Sequence, residues 1–209
     1  RGSSGASLLT SFKSAKLRCG LWVVLGWQTA VRLTLTLTGP LLVDAGLKLE
    51  QIAWIQGIGS MVVGLLSALA ATFLASRIGP RLLLHFAATV FILMALAHVA
   101  WVWGWLSGTQ IIIGLCLGFS AAISVSFVAI YAVMIGFCNP ARAATDFSIL
   151  QAFDVVLLVV AGMLSGILAV RFGYAPVFLL AASLMALSWP LTLRLAKDQL
   201  ASPHTNNPE

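Results

Sequence analysis

A few polar side chains stand where the sequence is otherwise apolar. Gln28, Arg32 and Thr36 follow at intervals of four in the first long apolar run. On a helix this spacing draws one polar stripe. Gln151 and Asp154 lie one turn apart in a later run, and Tyr131 sits in the run between. A guanidinium presents a planar fork of donors that suits a carboxylate, a phenolate or another anion. A carboxylate beside it can hold that cation, or take and lose a proton as the pair opens. The stripe reads as the wall of a ligand or ion pathway, or as one half of a structural ion pair with Asp154. Asp154 in turn reads as a proton site, or as a carboxylate neutralised by Arg32 or by backbone donors.

The elements that must position these groups are membrane helices. Of 209 residues, 60% are hydrophobic and only 9% are charged, where an ordinary soluble domain has about 25% charged. The same composition excludes intrinsic disorder. The net charge of +6 does not indicate nucleic acid, because the basic residues lie between apolar runs and not on one polar surface. There is no Walker loop, no metalloprotease helix and no nucleophile elbow, and Gly57-x-Gly59 lacks a dinucleotide-binding context. An enzyme, a cofactor and a metal are therefore not expected. Cys19, Cys116 and Cys138 lack zinc or redox spacing and read as reduced thiols. His85, His98 and His204 are too scattered to form a ligand set.

About 20 apolar residues cross a bilayer core. Six such runs can be drawn, over 17–43, 52–75, 82–105, 110–137, 147–170 and 176–195. The expectation is an all-α membrane protein whose short connections make successive spans antiparallel. Residues 1–16 read as a linker or cytoplasmic loop, 17–196 as the transmembrane bundle and 197–209 as a cytoplasmic tail. The polar, Gly/Ser-rich opening reads as a linker from an upstream domain or an expression scar. Residues 31–38 alternate with period two as a barrel strand would. The other runs are continuously apolar, so the segment reads as a helix whose threonines bond back to their own carbonyls. Gly39-Pro40 is expected to kink or end it. With the N-terminus inside, Arg1, Lys13, Lys16, Arg18, Arg77, Arg81, Arg142, Arg194 and Lys197 fall on the cytoplasmic side. Lys48 and Arg171 fall outside. Positive loops stay inside, so both termini are expected in the cytoplasm. Trp22, Trp54, Trp101, Trp103, Trp105 and Trp189 fall near span ends and read as interface anchors.

Ala75-Ser76-Arg77-Ile78-Gly79 and Ala169-Val170-Arg171-Phe172-Gly173 share the pattern A-x-R-[Ile/Phe]-G, and each closes an apolar span. The shift between them also superposes the loops that precede the second and fifth spans. Spans one to three thus match spans four to six with opposite orientation, a 3+3 inverted repeat of the kind that builds half of a major facilitator.

The residues from Cys138 to Ala152, read as C-N-P-A-R-A-A-T-D-F-S-I-L-Q-A, resemble the tenth loop and eleventh span of AmpG-like major facilitator transporters. Ala161 to Gly166, Arg171 to Tyr174, and Leu33 to Leu42 followed by Asp44-Ala45-Gly46 resemble the same family. The resemblance implies the carboxy-terminal six-helix half of a secondary transporter, its amino-terminal half lying elsewhere. Ala144 to Phe147 with Gln151 and Asp154 look nearest to siderophore importers of the pyochelin and rhizobactin type. The implied function is import of a siderophore or similar small organic solute across the bacterial inner membrane, by alternating access and coupled to protons. A muropeptide permease is the alternative within the family, and a non-transporting membrane scaffold the alternative outside it. The implied partners are the lipid bilayer, the small-molecule substrate and the missing half, with no nucleic acid. Two departures stand out. The loop Ser76-Arg77-Ile78-Gly79-Pro80-Arg81 lacks the family's acidic residue, and Arg32 is the charge where muropeptide permeases carry an acid nearby, at the position of Ala30.

Further residues have narrower roles. Gly114 and Gly118, and Gly162 and Gly166, form small-residue ridges suited to close helix packing. Arg77, Arg81, Arg142 and Asp146 mark the cytoplasmic loops. Arg142 and Asp146 read as a solvated helix cap or as an inner-gate ion pair.

Overall fold

The computed structural model describes residues 14–197, and every regular element among them is helical. Helix α1 covers Ala15–Leu35, α2 Thr38–Asp44, and α3 Leu49–Trp54. Helix α4 is Ser60–Val102, α5 Thr109–Phe137, α6 Ala143–Phe172 and α7 Tyr174–Leu195. Four helical stretches are long and apolar enough to cross a membrane: Leu49–Val102, Thr109–Phe137, Pro140–Phe172 and Tyr174–Leu195. The chain is an all-helical membrane protein.

Two expectations about the first run are corrected. It is not one span over 17–43, because α1 ends at Leu35 and α2 starts afresh at Thr38. The break lies ahead of Gly39-Pro40, and Pro40 explains it. Proline has no N–H to offer the carbonyl four residues back, at Thr36, and its ring crowds that carbonyl. Nor does α1 rank with the four long apolar stretches. Its polar groups are inside the bundle: Gln28 and Thr34 are fully buried, and Arg32 nearly so. Of the threonines in 31–38, Thr34 bonds back to the Val31 carbonyl at 2.9 Å and Thr38 to Leu35 at 3.4 Å, while Thr36 reaches another helix instead.

Helix α1 packs against α5, α6 and α7, while α4 packs against α5 and α7. The apolar residues of α6 continue around its circumference. Val155, Val156, Val159, Val160 and Met163 are all exposed, as lipid-facing or partner-facing side chains are.

The helix Leu49–Trp54 runs on through a π turn, Ile55–Gly59, into α4. The Ser60 hydroxyl donates to the Ile55 carbonyl at 2.9 Å, a carbonyl that also accepts the Ser60 N–H across the wider turn. Gly59 lets α5 come close, since a β-carbon there would meet Leu117 at 3.1 Å. Helix α4 is two limbs, 60–78 and 80–102. They meet at Gly79, whose φ of 80° and ψ of 162° are not helical. Pro80 opens the second limb, where a missing N–H costs least. Gly173, between α6 and α7, has φ 82° and ψ 176°. The two A-x-R-[Ile/Phe]-G segments therefore end in the same backbone turn.

The core is aromatic on the side away from α6. His98 is fully buried and stacks on Phe178, with ring centroids 4.8 Å apart. Its Nδ1 lies 2.8 Å from the Met94 carbonyl and so carries the proton. Nε2 is left to accept, and Cys116 Sγ lies 4.0 Å from it. Trp189 is tied inward, its indole N–H donating to His85 Nδ1 at 3.1 Å. His204 and the segments 1–13 and 198–209 lie outside the described residues.

Candidate functional site

Arg32 and Asp154 meet. Nε of Arg32 donates to Oδ1 at 3.1 Å and Nη2 to Oδ2 at 2.6 Å, a two-point bond between α1 and α6. Asp154 is 2% exposed and Arg32 9%. Such a fork-to-carboxylate bond fixes direction as well as distance. The guanidinium also lies over the Phe127 ring of α5, with its carbon 4.8 Å from the ring centre. A cation held on an aromatic face in a dry place gains from the ring's negative face. Phe127 in turn stacks on Tyr131, one turn further along α5, at 5.7 Å and 16°. Tyr131 is half-buried beside Arg32, Asp154 and Gln151.

Three helices thus contribute to one polar cluster. The stripe on α1 splits in its use. Arg32 holds Asp154, and Thr36 reaches Ser165 of α6 with the two hydroxyl oxygens 2.8 Å apart. Ser165 donates its own proton to the Gly162 carbonyl at 2.9 Å, so Thr36 is the donor between them. Gln28 is fully buried, yet neither its amide oxygen nor its nitrogen has a hydrogen-bond partner. The side-chain oxygen of Gln151 and the hydroxyl of Ser126 are also buried without partners.

A cavity of about 310 Å³ opens where the C-terminal end of α1 meets α6, with Thr36, Gly162, Gly166 and Asp44 in its wall. The Tyr174 hydroxyl, also in that wall, donates to the Asp44 carboxylate. Thr36, the residue just past the end of α1, lines this cavity one turn beyond Arg32.

The small-residue ridges divide. A β-carbon at Gly162 would meet the Thr36 methyl at 3.2 Å, and one at Gly118 the Met94 sulfur at 3.2 Å. Close approach is real at these two. Gly114 and Gly166 face open space within 4 Å, so they are not packing positions in this fold.

The loop residues are also reassigned in part. Asp146 is not a solvated cap: it is 1% exposed, and its Oδ2 accepts the Asn139 N–H at 3.0 Å. Arg142 Nε stands 3.6 Å from its other oxygen. The Asn139–Asp146 bond, across seven residues, ties the loop 138–142 to the start of α6. Arg77 is exposed and lies over Phe73 of its own helix, 5.0 Å from the ring centre. Arg81 is exposed as well.

Phe127 and the Asp44–Tyr174 bond escaped sequence reasoning as parts of one site, whereas Ser165 falls on the Gln151–Asp154 face that spacing alone indicates. A phenylalanine in an apolar run carries no mark of its role. Asp44 and Tyr174 are separated by 130 positions.

The fold and the cluster define a class: an all-helical membrane protein with a buried, two-point ion pair joining two of its helices. No known family model matches the chain.

Proposed function

We propose that the chain is a six-span half of a secondary transporter, in which the Arg32–Asp154 pair is the element that opens. The pair itself carries this reading. Two charges held out of water cost several kcal/mol each, and apolar residues in their place are often as stable or more so. Intramembrane ionisable groups mark substrate or proton routes by default. A scaffold has no use for the pair.

The mechanism follows from the geometry. With no solute bound, Arg32 neutralises Asp154. An anionic solute group that competes for the guanidinium frees the carboxylate. A carboxylate alone in a dry slot carries a cost that a proton removes, so solute binding and proton uptake become one event. Tyr131, Gln151 and Gln28 supply donors and acceptors around the solute.

The internal packing supports the 3+3 plan. The first span of one copy, α1, binds the second span of the other, α6, through Arg32–Asp154 and Thr36–Ser165. The first span of the other copy, α5, binds the limb 60–78 through Ser120 and Ser60, 3.0 Å apart. This reciprocal exchange is what a two-fold relation between copies produces. A second six-helix half, both termini in the cytoplasm and the bacterial inner membrane complete the proposal. A siderophore-like solute bearing carboxylate or phenolate groups suits Arg32, with a muropeptide as the alternative.

The test is uptake in cells with and without the gene that encodes this chain. Labelled ferric siderophore and labelled muropeptide are supplied in turn, with external pH recorded. Gene-dependent uptake of one of them, with proton entry abolished in Asp154→Asn, is the expected result. Unchanged uptake of every solute on deletion overturns transport and leaves the scaffold; normal proton-coupled uptake in Asp154→Asn overturns the coupling site.

A further inference from the structure

The seam between α1 and α6 holds a second feature at the end opposite the Thr36 cavity. Two adjoining cavities, about 540 Å³ and about 270 Å³, share Leu21 and Phe153. Together they form one groove. Gly20 and Leu150 set its register, since a β-carbon on Gly20 would meet Leu150 Cδ2 at 3.3 Å. Arg18, Thr145 and Ser148 precede that level on their helices; Leu25, Phe153 and Val156 lie beyond it. The groove is therefore charged and hydroxylic at one end and apolar along the rest. From Ser148 to Val156 it runs about 12 Å.

A second observation concerns charge. Lys16 and Arg18 lie at the start of α1, whose first turn has no acidic residue. The positive end of a helix dipole disfavours cations there and favours an anion. Among the described residues, neither has a carboxylate within 4.0 Å. Trp22, which also lines the groove, is 62% exposed, and an indole at the same depth suits the headgroup level.

We propose that this groove is a binding site for one phospholipid with an anionic headgroup. Its phosphate sits on the Arg18 guanidinium, and an acyl chain lies against Leu21, Phe153 and Val156. Basic pockets between membrane helices bind such headgroups, and each buried methylene adds to retention. The site needs only that the chain lies in a bilayer, so it stands or falls apart from transport.

The experiment is native mass spectrometry of the detergent-solubilised chain. Phosphatidylglycerol and phosphatidylcholine with identical acyl chains are added in turn. Wild type is expected to retain phosphatidylglycerol preferentially, Arg18→Gln to lose about fivefold of that preference, and Arg18→Lys to keep it. Val156→Trp, which fills the groove, is expected to release both lipids. Helix content is read on each variant by circular dichroism, and Ala152→Trp replaces Val156→Trp if the latter loses helix. An unchanged lipid ratio in Arg18→Gln, or unchanged retention with the groove filled, overturns the site. So does a photocrosslinker at position 156 that captures a polypeptide from native membranes in place of phospholipid.

Discussion

Gly79 and Gly173 hold one backbone shape, with φ and ψ of 80° and 162° at the first and 82° and 176° at the second. Each joins two long helices with a single residue. This conformation is nearly closed to residues with a β-carbon. At neither position would a β-carbon touch anything within 4 Å. The cost of a side chain there is backbone strain alone, and it should be equal at the two sites. Gly79→Ala and Gly173→Ala are each expected to lose about 1–3 kcal/mol, read as unfolding in mixed micelles. Gly166→Ala is the control: its helical site faces open space, so no loss is expected. A clear difference between the two turn mutants would break the equivalence.

Breaking the ion pair from one side leaves a buried charge alone. Arg32→Met or Asp154→Asn is expected to lose about 3–5 kcal/mol. The double variant Arg32→Met/Asp154→Leu removes both charges and is expected to recover most of that loss, as a double-mutant cycle in the same unfolding assay reads directly. Uptake stays absent in all three. Recovery of uptake along with stability would show that the pair only holds the fold.

At the α1–α7 crossing the limit is steric. A β-carbon on Gly26 would stand 2.9 Å from the Ser188 β-carbon, and neither atom has rotational freedom. Gly26→Ala is expected to destabilise by about 1–3 kcal/mol, the usual penalty of overpacking. Ser188→Gly in the same chain makes room and is expected to relieve it. Thermal melting of the two variants against wild type decides, and a penalty that persists in the double variant places the strain elsewhere.

The thiol of Cys138 lies between two spans, 9% exposed, with Sγ 3.4 Å from the Met134 carbonyl. Burial and then the Asp146 carboxylate raise its pKa above the ordinary thiol value. The thiolate is the reactive form, so maleimide labelling at neutral pH is expected to be slow and to rise with pH. Asp146→Asn removes the negative charge but keeps an oxygen for the Asn139 N–H. The thiol pKa then falls, and the labelling midpoint is expected to move to lower pH. With Cys19 and Cys116 changed to Ser, the pH–rate profile isolates this one thiol. A midpoint that stays put would leave burial as its sole cause.

Much of this site was legible before the fold was known. A charge in an apolar run has few partners available, which is why Arg32 and Asp154 could be matched across the sequence. Threonine back-bonding was equally readable, being local. Contacts made by ordinary residues were not: Phe127 under the guanidinium looks like any core phenylalanine. The break before Thr38 was displaced because proline acts on the carbonyl four residues behind it, not at its own position. Gly114 and Gly166 resembled packing glycines because spacing reports a face and not what stands opposite.

The bond between Arg32 and Asp154 joins residues 122 positions apart. At about 5–20 residues per second, synthesis separates their emergence by roughly 6–24 s. For that interval α1 has its arginine and no counter-charge, and it is the helix whose composition least favours lipid. Nascent chains halted before residue 154 are expected to leave α1 accessible to water-soluble thiol reagents at an introduced cysteine, and longer ones to protect it. Among the described helices, α1 is thereby made first but held only once α6 has emerged.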